Sequence, residues 1–97
     1  MAKGYVLFSE TINDQEGYDA YLQKALPTVS ASGGRPIVAQ DGPETIEGEW
    51  QASRIVVLEF DSVDAARKWY NSPAYQAIIG ERQRSADAMA VIVSGLG

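Results

Sequence analysis

Ninety-seven residues, 45% of them hydrophobic and 22% charged, make a single globular domain, 1–97, with no room for a second core. The chain has no cysteine and no histidine, which excludes disulfides, thiolate nucleophiles, sulfur- or imidazole-ligated metals and Ser-His-Asp catalysis. Its net charge of −5 and scattered basic residues argue against nucleic acid, which needs Lys and Arg clustered toward phosphates.

The N-terminal "MAKGYVLFSE" has neither the apolar length nor the cleavage site of a signal peptide. No apolar run nears the ~20 residues that span a bilayer. A cytoplasmic location without a membrane partner is expected. "GYVLFS", residues 4–9, is aromatic and β-branched enough for a strand. "TINDQEGYDAYLQKALPTVSASGG" predicts a helix capped by Asn13, with Tyr18, Tyr21, Leu22, Ala25 and Val29 on one face. Pro27 should kink or divide it, and Gly33-Gly34 should end it.

"RPIVAQ", 35–40, predicts a strand whose Pro36 fits only a sheet edge. The polar stretch "DGPETIEGEWQAS" is long for a hairpin loop. "RIVVLEF", 54–60, is the strongest strand signal, followed by a helix capped by Asp61 or Ser62 and running to about Asn71. Ser72-Pro73 breaks that helix and starts another, "PAYQAIIGERQRS". "AMAVIVS", 88–94, is the last strand.

Strand–helix–strand–strand–helix–strand implies an α+β fold: a four-stranded antiparallel sheet with both crossover helices on one face, a ferredoxin-like βαββαβ arrangement. Val56, Leu58 and Phe60 then face opposite to Ile55, Val57 and Glu59, and Met89, Val91 and Val93 opposite to Ala88, Ala90 and Ile92. Both faces are apolar, yet the helices cover one. An exposed patch of about several hundred Å² is rare on a monomer, so a homodimer paired sheet to sheet is expected.

In "RKWYNSPAYQAII", Trp69 and Tyr70 share a helix side with Val63, Ala65 and Ala66, and Tyr75 repeats the pattern with Ile78 and Ile79. These aromatics read first as core, with a second role as pocket walls.

"KGY", "GGR" and "EGEW…RIVVLEFDSVDAARKWYNSPAYQAI" resemble the domain of unknown function 1330 family of the dimeric α+β barrel superfamily. The likeness covers nearly the whole chain and is most specific from Glu47 to Ile78. It implies the same topology and sheet-to-sheet dimer, but no established activity. The wider superfamily includes cofactor-free monooxygenases, muconolactone isomerase-like enzymes, dye-decolourising peroxidases and chlorite dismutases. The absence of histidine as a haem ligand excludes the last two.

Glu59 is the candidate catalytic residue. It is expected to face the space between the sheets, where desolvation would raise its pKa. The alternative is an ion pair with Arg54 or Arg35, or exposure to solvent. Arg35 and Arg54 suit a carboxylate or enolate ligand, or an acid of the partner chain. Tyr5 is a phenolic donor or strand core, and Trp50 a cover over the cavity or a clamp on the other subunit. Tyr5, Trp50, Trp69 and Tyr70 complete the ligand-binding set. The acidic loop residues Asp41, Glu44, Glu47 and Glu49 do not have calcium-loop spacing, and "GGRPIVAQDG" is not a phosphate loop. Neither metal nor cofactor is expected.

The function expected is binding of a small organic molecule in the barrel cavity, with cofactor-free acid–base, oxygenase or isomerase-type chemistry. Fold analogy supplies this expected chemistry. The alternative is a non-catalytic ligand-binding or accessory dimer.

Overall fold

The computed structural model describes residues 2–97. Four strands, β1 (Gly4–Ile12), β2 (Arg35–Asp41), β3 (Arg54–Phe60) and β4 (Ala86–Ser94), form one antiparallel sheet of order β2-β3-β1-β4. Four helices, α1 (Gln15–Ala31), α2 (Val63–Tyr70), α3 (Pro73–Gln76) and α4 (Ile79–Ser85), supply the residues packed against one face. The ferredoxin-like α+β fold and the edge position of the strand bearing Pro36 are as the sequence pattern predicts. The register shifts between Pro36 and Val38, where proline cannot donate to the ladder.

Strand parity decides the layers. Val6, Phe8, Val56, Leu58 and Phe60 are buried beneath Tyr18, Tyr21, Ala25 and Val29 of α1 and Ala66, Trp69 and Tyr75 of the second helical segment. Trp69 lies 4.2 Å from Tyr75 between ring centroids and meets Phe8 edge-on. Glycine permits the close approach at the end of α1: a Cβ on Gly34 would collide with the Phe60 ring.

Three local expectations are corrected. Asp14, one residue beyond Asn13, caps α1, its carboxylate accepting from the Gly17 N–H. Helix α1 runs through Pro27 undivided. The segment after Ser72-Pro73 is two short helices, because Ala77 and Ile78 interrupt it. Ser62 caps α2 and Ser72 caps α3, each accepting from a backbone N–H three residues on.

The opposite face carries no helix. Val38, Val57, Leu7 and Val91 are register partners across all four strands. Met89 and Val91 are 72% and 53% exposed, and Val38 and Val93 are also exposed. The molecule is a slab 33 × 33 × 16 Å, two layers thick with one apolar side bare. Among the described residues no helix is long and apolar enough to cross a membrane.

Candidate functional site

Strand β1 continues to Ile12, three residues beyond the predicted end, and that extension places Glu10 on the helix face in line with Val6 and Phe8. Glu10 is 2% exposed. Its register partner on β3 is Arg54, whose own partner on β2 is Asp41. A row of acid, base, acid thus crosses three strands under the start of α1.

Tyr18, one turn into α1, closes the row. Its hydroxyl donates to Glu10 Oε1 at 2.5 Å and accepts from Arg54 Nε at 3.3 Å. Arg54 Nη1 donates to Asp41 Oδ1 at 2.9 Å. The result is a polarised chain from guanidinium to phenol to carboxylate, each bond strengthening the next. Burial pushes the Glu10 carboxyl above its ordinary range, against the Tyr18 hydrogen bond and the charges of Arg82 and Arg54. Burial, and then the bond to Glu10, likewise hold the Tyr18 hydroxyl in its protonated form. Burial opposes the charge on Arg54, but its bonds to Asp41 and Tyr18 outweigh that and raise its pKa.

Arg82, buried on α4, places its guanidinium 5.1 Å from the centre of the Phe8 ring, and its Nε has no hydrogen-bond partner among the described residues. Beside Tyr18, the Tyr21 and Tyr75 hydroxyls bond each other at 2.7 Å.

This polar chain forms one end of a cavity of about 140 Å³ between α1 and the sheet. The walls are apolar: Phe8, Leu22, Ala25, Val56, Leu58 and Trp69. A dry cavity of about this size accommodates one benzene ring.

The sequence-predicted residues divide between places. Arg54 and Trp69 line this cavity. Glu59, Arg35 and Tyr5 meet on the opposite, helix-free face: Arg35 Nη2 lies 2.6 Å and its Nε 2.9 Å from Glu59 Oε1, and Tyr5 donates to Oε2 at 3.2 Å. The alternative reading of Glu59, an ion pair with Arg35, is the one that forms, in place of the expected rise in pKa. The Arg35 hydrogen bond, outweighing desolvation and helped by Tyr5, lowers it. Burial and the Glu59 contact raise the Tyr5 pKa. Arg54 pairs with Asp41 and not with Glu59, because even-numbered β3 residues face the helices. Trp50, 48% exposed, shares a groove with Pro43 and Ile46 of the β2–β3 loop and Ile55 of β3, and does not line the cavity under α1. Tyr70 lies in a crevice with Val6 and Ile92, its ring packed on Trp69 and Tyr75.

Glu10, Asp41 and Arg82 have no place among the sequence-predicted site residues, and helical spacing gives Tyr18 only a core role. The overlooked signal was the alternation Val6, Phe8, Glu10, Ile12.

Sheet order, helix placement and apolar cavity define a ferredoxin-like α+β protein. The family model for the domain of unknown function DUF1330 matches residues 3–96, and the chain belongs to that family. No curated protein matches it. Among solved structures it is similar to a protein of unknown function from Rhodopseudomonas palustris, at 18% identity over 99% of this chain and 84% of that one, TM-score 0.80. It is also similar to SnoaB, a cofactor-independent oxygenase from Streptomyces nogalater (9% identity, 100% and 96% covered, TM-score 0.75). A third similar structure is a dimeric ferredoxin-like protein of unknown function from Thermobifida fusca (16%, 98% and 92%, TM-score 0.61).

Proposed function

We propose that the chain binds a small, single-ring organic molecule in the cavity under α1 and supports cofactor-free acid–base chemistry on it. The observation that carries this reading is the coincidence of an apolar cavity with one buried, hydrogen-bonded carboxylate at its end. A raised carboxyl pKa moves Glu10 toward the range where a general base works near neutrality. Arg54 stabilises oxyanion character that develops when a proton leaves the ligand. Trp69 and the α1 side chains exclude water from the ring. The described oxygenase activity of SnoaB, on the same fold, supports a reaction without a cofactor.

Glu59, Arg35 and Tyr5 neutralise one another on the open face and belong, in this reading, to the contact of a homodimer paired through its bare sheets. The apolar row across four strands supports that pairing, as does the dimeric description of the Thermobifida fusca protein.

The test is a thermal-shift screen of single-ring acids, phenols and lactones against the wild type, Ala39→Trp and Glu10→Gln. Ala39 lies at the β2 side of the cavity, so the tryptophan should fill it and abolish any stabilisation. A hit equally strong in Ala39→Trp defeats the reading. Binding retained with loss of substrate proton exchange in Glu10→Gln marks an enzyme. Binding without proton exchange even in the wild type marks the non-catalytic alternative.

A further inference from the structure

Arg54 stands between two acids in different surroundings. Glu10 is buried and takes its bond from Tyr18, whereas the Asp41 side chain is 78% exposed and takes one directly from the guanidinium. The Arg54 side chain is itself only 16% exposed and lines the cavity. Tyr18 uses its Nε and Asp41 its Nη1; Nη2 makes no hydrogen bond among the described residues. A guanidinium favours two parallel bonds to one carboxylate, and Asp41 takes only one. Solvated ion pairs of this kind are weak. An oxyanion approaching from the cavity would meet the same cation away from water, where attraction is stronger.

We propose, resting on the cavity reading above, that the occupant is a single-ring organic anion whose oxyanion takes Arg54 over from Asp41. A cationic ring would meet the Arg54 guanidinium, the one cation of the cavity lining among the described residues, and a neutral one would forgo it. The exchange also reaches the loop. Asp41–Arg54 is the last cross-strand pair before residues 42–53, and beyond it the loop neck is held by the Gly42 N–H bonding the Ser53 carbonyl at 2.7 Å. Losing the ion pair loosens that neck.

Benzoate and benzyl alcohol, alike in size and different in charge, test the exchange. Of the two tryptophans, Trp69 is in the cavity wall, so a Trp50→Phe background leaves its fluorescence to report occupancy. Benzoate should bind at least about tenfold more tightly than benzyl alcohol. Asp41→Asn, which removes the competing acid, should strengthen benzoate about two- to fivefold and leave the alcohol unchanged. Arg54→Gln should erase the preference. Amide exchange at Gly42 should quicken with benzoate and not with the alcohol. Benzoate binding no tighter than the alcohol, unchanged in Asp41→Asn, or without effect on Gly42 exchange overturns this inference while leaving the cavity reading standing. Binding of neither compound to wild type or Asp41→Asn overturns both.

Discussion

Glu10 and Arg54 are register partners on adjacent strands, yet the hydroxyl of Tyr18 stands between them, bonded to both. Removing that hydroxyl tests the arrangement. Tyr18→Phe leaves a buried carboxylate without its donor, which should cost about 1–3 kcal/mol in urea denaturation. The lost hydrogen bond had opposed the effect of burial, so the Glu10 pKa should climb further. Carbon-detected NMR titration of the Glu10 carboxyl reads this directly. A fall in its pKa would show that the phenol does not stabilise the charged form.

The two glutamates on opposite faces should give opposite pH dependences. Burial raises the folded pKa of Glu10 above its ordinary 4.5, so the native state binds the extra proton. Its contribution is complete below 4.5 and is lost as pH rises from there through the folded value. Arg35 lowers the folded pKa of Glu59 below 4.5. Its contribution is complete above 4.5 and is lost as pH falls through the lower value. Relative to wild type, Glu10→Gln should therefore gain stability as pH rises from 4.5 toward neutrality. The deficit of Glu59→Gln should shrink on the acid side of 4.5. Denaturation midpoints across that range check both, and parallel pH profiles for wild type and Glu10→Gln would refute the first.

How much of this was legible in the residues depends on distance along the chain. Period-two alternation in "RIVVLEF" correctly separated Val56, Leu58 and Phe60 from Glu59. The same rule, applied past Ser9, would have put Glu10 beside Phe8, but an acid breaks an apolar run and hides the strand's continuation. For Glu59 the sequence left a desolvated carboxyl and an ion pair with Arg35 or Arg54 both open. The choice depends on Arg35 lying opposite across β2–β3, which Pro36 with the register shift beside it hides. The Asp41–Arg54 pair was hidden similarly, since thirteen positions and the whole loop separate its members. The aromatic segment was easier, because helical spacing alone puts Trp69 and Tyr75 inside.

Thr28 supports Trp69 from the last turns of α1. Trp69 Nε1 donates to Thr28 Oγ1 at 3.0 Å, and that oxygen donates to the Ala25 carbonyl at 2.6 Å. Valine matches threonine in shape but cannot accept. Thr28→Val should therefore leave the indole N–H unpaired in the core and cost about 1–3 kcal/mol in urea denaturation. Trp69→Ala should cost about 3–5 kcal/mol through the cavity it opens between Phe8, Phe60 and Tyr75. Equal stability of Thr28→Val and wild type would mean the indole finds water instead.

Val91 and Leu7 form the centre of the bare sheet face, with Val57 and Val38 continuing the row to the far edge. If two copies pair through this row, a twofold axis buries each substituted side chain twice per dimer. Val91→Asp then places two carboxylates in an apolar contact, whereas Val91→Ala only trims two methyl groups from each side. Sedimentation at micromolar concentration should show wild type and Val91→Ala as dimers. Val91→Asp should be a monomer, its dissociation constant raised by about a hundredfold or more. Its far-ultraviolet circular dichroism should be unchanged, since residue 91 faces away from the helices. A monomeric wild type, or a Val91→Asp dimer as tight as wild type, would mean that some other surface meets the partner or that none does.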